Sequence, residues 1–313
     1  MTASASASGI VLVDKPYGWT SHDVVARMRR LANTRKVGHA GTLDPMATGL
    51  LVIGIGSSTR LLTYVVGTDK EYLATVRLGA ATTTDDAEGE LVTKAQPDDV
   101  AAVTPDRIRD AAARLTGDIQ QVPSSVSAIK VDGKRAYARV RGGEDVTLQP
   151  RQVTVSAFDI LDIVHADENT AIDVSVRVEC SSGTYVRAIA RDLGADLGVG
   201  GHLTQLRRTR VGPYRVADAT ELEGLDVATR LMTPADAASA LLGSVRLNHQ
   251  QAIDLGHGKK IAAPEGVADG VHEGPVAAVA PDGRLVGLVE FKNGLGRVVV
   301  NFPADMPAGE PPR

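Results

Sequence analysis

The chain has 313 residues, 43% of them apolar and only 3% aromatic, and a net charge of −4. That composition describes a globular protein and excludes a disordered one. A single cysteine, Cys180, excludes an internal disulfide and Cys-cluster zinc sites and fits a cytoplasmic location; no apolar run reaches membrane-spanning length, and Met1 to Ser8 lacks a secretory signal's charged start and apolar core.

Residues 1–8 read as a disordered tail. Ile10 to Val13 reads as a short strand leading into the turn Asp14-Lys15-Pro16-Tyr17-Gly18. Thr20, with Asp23 three residues on, is an N-cap signature, and Val24, Val25, Met28 and Leu31 follow at helical spacing. Gly38 to Gly49 surrounds one carboxylate, Asp44, followed directly by Pro45. Proline pushes its predecessor toward extended or turn geometry, and glycines allow sharp turns and close approach, so this stretch predicts a loop presenting a single acid. Leu50 to Ile55 predicts a buried strand, and Tyr72 to Leu78 alternates like a half-buried one. Thr82 to Gly89 predicts a polar, acidic loop. Thr104-Pro105 opens a helix closed by Gly117.

Residues 124–151 form a Gly- and base-containing insertion, with a short helical piece predicted around Tyr137 to Val140. Val153 to Val164 and Ile172 to Cys180 predict strands, and the alternation Ile172, Val174, Val176, Val178, Cys180 makes the cysteine a core residue. Thr184 to Leu197 predicts a helix ended by Gly198. Strands and helices without a regular βαβ repeat indicate an α+β sheet domain. A composition break near Val245 marks a second, strand-rich piece, and residues 303–313, rich in proline, read as a loose tail.

Charge is segregated along the chain. Lys15 to Lys36 carries six bases against one acid, Ser124 to Arg151 six against three, and Arg177 to Arg215 seven against three. Such segregation builds a positive face of the kind that grips phosphate backbones, the alternative being solvated helix faces. The seven histidines show no metal-ligand spacing, so no metal site is expected. Gly54 to Thr59 lacks the lysine of a phosphate loop, and there is no Gly-x-Ser-x-Gly elbow.

The motifs Val13-Asp14-Lys15-Pro16-x-Gly18-x-Thr20-Ser21-His22-Asp23 and Lys36-Val37-Gly38-His39-x-Gly41-Thr42-Leu43-Asp44-Pro45-x-Ala47-Thr48-Gly49 resemble those of the bacterial TruB family, the tRNA pseudouridine-55 synthases. Asp69-Lys70-x-Tyr72, Thr82-x-Thr84-x-Asp86, Gln121-x-Pro123, Gly183-Thr184-Tyr185-x-Arg187 and Leu206-Arg207-Arg208 follow in the family's order.

The resemblance implies an α+β pseudouridine synthase fold with a mixed, largely antiparallel central sheet. It divides the chain into a catalytic domain over 9–244, with an RNA-gripping thumb at about 124–151, and a small PUA-like RNA-binding domain over 245–302. It implies isomerisation of uridine 55 in the tRNA T loop, without cofactor or metal, with Asp44 as catalytic nucleophile. The nucleophile's target stays open: the uracil ring, C1′, or a sugar proton abstracted first. Arg187 corresponds to the arginine paired with that aspartate. Tyr72 corresponds to the residue stacking on the target base, Tyr185 and Leu206 to pocket-lining residues, and His39 to the histidine filling space left by flipped bases. Lys15, Lys130, Lys134, Arg135, Arg139, Arg207 and Arg208 are candidates for RNA-backbone contacts. The implied partner is the T arm of tRNA, with a monomer, no obligatory protein partner and no membrane. Rival readings are a non-catalytic RNA-binding or tRNA-folding protein, a guide-dependent synthase subunit and a carboxylate-dependent hydrolase.

Overall fold

The structure, a computed structural model, describes residues 8–124, 130–131, 134–135, 148–166, 170–264 and 274–303. In chain order the elements used below are β1 (Gly9–Lys15), α1 (Ser21–Leu31), β2 (Val37–Ala40), β3 (Thr48–Ile55), β4 (Lys70–Leu78) and α2 (Pro105–Arg114). Then come β5 (Gly117–Gln121), β6 (Lys130–Val131), β7 (Lys134–Arg135), β8 (Arg151–Ala166), β9 (Ala171–Cys180), α3 (Val186–Leu197) and β10 (Gly201–Val211). The last third holds β11 (Thr220–Glu221), α4 (Pro234–Leu242), β12 (Ser244–Arg246), α5 (His249–Gly256), β13 (Ile261–Ala262), β14 (Val276–Val279), β15 (Leu285–Lys292) and β16 (Leu295–Asn301).

The chain forms two compact units, one of Met1–Asp44, Leu50–Val66 and Gly212–Arg313, the other of Pro45–Gly49 and Gly67–Val211. In the first, β1 lies between β11 and β3, and β2 pairs antiparallel with β3. Helix α1 begins as its sequence dictates. Thr20 Oγ1 accepts the Asp23 N–H at 3.0 Å while Asp23 Oδ2 accepts the Thr20 N–H at 3.0 Å, a reciprocal capping box. Its apolar stripe, Val24, Val25 and Met28, packs with Val11, Val13, Leu51, Ile53 and Ile55 into one core. Ser8, expected in the tail, is instead buried, its hydroxyl accepting the Ser57 N–H at 3.0 Å. In the last third, β12–β14–β15–β16–β13 make a separate five-stranded sheet whose core includes Val245, Leu255, Val276, Val286 and Val289.

The second unit is an antiparallel sheet in the order β10–β4–β9–β8–β5. Residues Thr48 and Gly49, the start of β3, lie parallel beside Arg207 and Arg208 of β10. Gly49 is obligatory there: its φ is +99°, and an added Cβ would sit 2.3 Å from the Arg208 carbonyl oxygen. Alternation on β4 and β9 buries Tyr72, Ala74, Val76 and Leu78 together with Ile172, Val174, Val176, Val178 and Cys180. Burial pushes the Cys180 thiol up to about 11, which leaves it inert, as its place in the core predicts. Helix α3 packs on this sheet and ends at Gly198, whose φ of +79° closes the last turn. Strands β6 and β7 pair as a hairpin inside the insertion; the helical piece predicted at 137–140 lies outside the described residues.

Candidate active site

Asp44 sits half-buried in the loop between β2 and β3. That loop is tied down at the residue before it. The Ser21 hydroxyl, fully buried at the first turn of α1, donates to the Leu43 carbonyl at 3.1 Å and accepts the Leu43 N–H at 2.9 Å. A buried two-way exchange of this kind holds a loop more firmly than its glycines would. Leu43, Met46 and Ala47, which flank the acid in the chain, are buried. His39, on β2, is half-buried, and its ring meets the His22 ring edge-on at 5.8 Å.

Arg187 occupies the second position of α3 and is only 4% exposed. An enclosed guanidinium requires charged or carbonyl partners. Here Nη1 donates to the Thr84 carbonyl at 2.8 Å and lies 3.5 Å from the Asp86 carboxylate, itself enclosed. Asp86 is in turn held by the Thr84 hydroxyl and by the Glu88 N–H at 3.1 Å. Sequence reading makes Thr82 to Gly89 a polar, acidic loop; the structure buries two of its acids, Asp85 and Asp86, and uses them as counter-ions. Asp85, at φ +60°, faces Arg191 at 3.2 Å. The start of α3 is fixed separately, because Tyr185 cannot cap it with its own side chain. The buried Gln121 amide does so, accepting the Tyr185 N–H at 2.9 Å and donating to the Tyr185 carbonyl at 3.1 Å. Asp86 and Gln121 carry roles that sequence reasoning did not assign, although both stand inside the quoted motifs.

Tyr72 is buried on β4, across from Val178 on one side and Arg208 on the other. Leu206, also buried, faces Ala74 on the same pair of strands, and Tyr185 is half-buried at the start of α3. Lys70 begins β4 as a buried ammonium whose pKa is lowered to about 8, first by burial and then by the neighbouring Arg208 charge.

The backbone-contact candidates divide. Lys15 is wholly enclosed, its ammonium donating to the Pro16 carbonyl at 2.9 Å and the Trp19 carbonyl at 2.6 Å. Arg208 is 1% exposed. Both of these candidates for RNA-backbone contacts are enclosed by the protein. Arg207 is half-buried, near Thr48 Oγ1 at 3.4 Å. Lys130, Lys134 and Arg135 lie on the β6–β7 hairpin, and Arg139 lies outside the described residues. The basic run Arg177 to Arg215 is also largely spoken for. Arg177 pairs with Glu71 at 2.7 Å, Asp159 at 2.8 Å and Glu179 at 2.8 Å, and Arg210 pairs with Glu179. The carboxylates around Arg177, Asp159 first, hold its pKa above the ordinary range.

Family models match residues 29–303 of the chain. The model of the TruB family pseudouridylate synthase N-terminal domain matches residues 29–186. That of the tRNA pseudouridylate synthase B C-terminal domain matches 187–246, and that of the tRNA pseudouridine synthase II C-terminal region matches 242–303. The tRNA pseudouridine synthase B of Leifsonia xyli subsp. xyli (strain CTCB07) is 62% identical over 298 residues, covering 95% of this chain and 97% of its own. That of Arthrobacter sp. (strain FB24) is 56% identical over 308 residues, covering 97% and 99%. Among solved structures, a chain from a Cbf5-Nop10-Gar1 complex superposes with a TM-score of 0.69 at 26% identity, covering 96% of this chain and 85% of that one. A chain of an H/ACA RNP bound to a substrate RNA containing 2′-deoxyuridine gives 0.69 at 25%, with the same coverage.

Proposed function

This chain belongs to the TruB family of pseudouridylate synthases, and on that footing we propose that it converts uridine 55 in the T loop of tRNA to pseudouridine, with Asp44 as the nucleophile. The enzyme class is isomerase. The C1′–N1 bond breaks and a C1′–C5 bond forms. The C5 proton leaves and N1 takes one up, so the reaction balances without a redox partner. A carboxylate serves as nucleophile because it is anionic at neutral pH without an activating base. The target base is extruded from the loop, where unstacking costs least, and read as an unpaired nucleobase. In this reading Arg187 provides the guanidinium that pairs with Asp44. Tyr72 stacks on the uracil, Leu206 and Tyr185 line its pocket, and His39 fills the space that flipping vacates. We assign 9–244 to catalysis and 245–302 to a PUA-like RNA-binding module, in a cytoplasmic enzyme acting as a monomer on the T arm.

What carries the reading is a half-buried carboxylate on a loop pinned by Ser21, in a chain whose relatives at 56–62% identity are named tRNA pseudouridine synthase B. The likeness to chains of the H/ACA RNP and the Cbf5-Nop10-Gar1 complex, at 25–26% identity, is far more distant. The test is to incubate the purified protein with an unmodified tRNA transcript and map pseudouridine. Asp44→Asn is expected to bind the transcript and to lose more than about 10³-fold in turnover, as removal of a nucleophile does. Turnover near wild type in that variant would refute Asp44.

A further inference from the structure

The turn between β1 and α1 exposes two aromatic rings, Tyr17 at 67% and Trp19 at 37%, in a chain with one Trp, six Tyr and three Phe. The turn is rigid. The enclosed Lys15 ammonium grips the carbonyls of Pro16 and Trp19 from beneath, Gly18 takes a φ of +80°, and the Thr20–Asp23 capping box fixes the exit into α1. With the backbone held this way, less freedom is lost when a ligand stacks on the two rings. Two residues beyond Trp19, Ser21 exchanges its hydrogen bonds with Leu43, so the turn is bound to the loop carrying Asp44, roughly 17 Å away at most by chain geometry. The surrounding stretch, Lys15 to Lys36, carries six bases against one acid, with Arg29 and Arg30 exposed on α1.

We propose that Tyr17 and Trp19 form a stacking platform for an unpaired RNA base flanking the target nucleotide. This rests on the tRNA-modifying function proposed above. The rings suit the role because every base offers a π-face and stacking tolerates sequence, while the exposed Arg29 and Arg30 on the helix that follows favour a polyanion over an apolar protein surface.

Trp19 is the chain's sole tryptophan, so its fluorescence reports on the platform alone. The full-length protein is titrated with an unmodified T-arm hairpin RNA while pseudouridine formation is followed in parallel. Expected are saturable quenching of Trp19 emission and, for Tyr17→Ala and Trp19→Ala, an increase in KM of about tenfold each with kcat and Tm unchanged. Trp19→Phe is expected to restore KM. Pseudouridine formation without any change in Trp19 emission overturns the platform, as does an unchanged KM in both alanine variants. A fall in kcat or Tm with KM unaltered gives the turn a structural role and overturns it too. Loss of self-association in the alanine variants, with RNA binding intact, would give the face to a second copy. Quenching without pseudouridine upholds the platform and sinks the isomerase reading; neither signal sinks both.

Discussion

A guanidinium as enclosed as that of Arg187 needs charged or carbonyl partners to offset its burial, and Asp86, 3.5 Å away and equally enclosed, is one of them. Asp86→Asn leaves the guanidinium buried without that counter-ion. The expected cost is about 3 kcal/mol of stability and at least a tenfold fall in kcat. Urea unfolding and single-turnover assays check this; wild-type stability would show that the other partners of Arg187 suffice. Lys70 gives a pH test. Its folded-state pKa, about 8, lies below the ordinary 10.5 because burial disfavours the ammonium. The unfolded chain therefore binds more protons between pH 8 and 10.5, and stability from this group rises with pH across that window. Below pH 8 the burial penalty is fully present. Lys70→Met is thus expected to stabilise the protein most at pH 7, with its advantage over wild type shrinking as pH rises through 8 toward 10. Denaturation midpoints at the two pH values decide it; a constant difference would refute the assignment.

At the scale of elements, the placement of α3 governs where Arg187 and Tyr185 stand. Three devices position it: the Gln121 amide at its start, Gly198 at its end, and direct backbone contact at Gly194. A Cβ added at Gly194 would meet the backbone of Gly200 and Gly201 at 2.1 Å. Backbone cannot swing aside as a side-chain tip can. Gly194→Ala is therefore expected to cost roughly 3 kcal/mol or more despite alanine's better helix propensity, read as a drop in Tm together with lost activity. Retention of wild-type Tm would mean that helix and strand can part at little cost. Most elements were legible beforehand. The capping box at Thr20, the stripe of α1 and the alternation of β4 and β9 are local patterns, and the structure follows them. Strand β10 was not. Its alternation is broken by irregularities at Leu203–Gln205 and Arg208–Arg210, and its three arginines, Arg207, Arg208 and Arg210, imitate a solvated segment.

For the whole molecule, the net charge of −4 conceals a division of labour among its cations. Many arginines of the 177–215 run are matched by carboxylates or enclosed, whereas Arg29, Arg30, Arg35 and Lys36 of the first basic run are exposed. Affinity for tRNA is accordingly expected to fall steeply with salt, with a log–log slope of several units. Neutralising Arg30 to Gln should reduce that slope by about one. Filter-binding between 50 and 200 mM salt measures it, and a slope unmoved by Arg30→Gln would take α1 out of the RNA contact. No helix among the described residues is long and apolar enough to cross a membrane.

By itself the amino-acid sequence determined the α+β class, the strand and helix periods, the loop bearing Asp44 and the family, because each is written in residues close together along the chain. Only the tertiary structure decided which charges are buried. Lys15 and Arg208 became interior groups, Asp85 and Asp86 became counter-ions, and Ser21 became the anchor of a loop twenty-two residues away. Burial and pairing depend on what distant segments bring alongside a residue, and no local pattern encodes that neighbour.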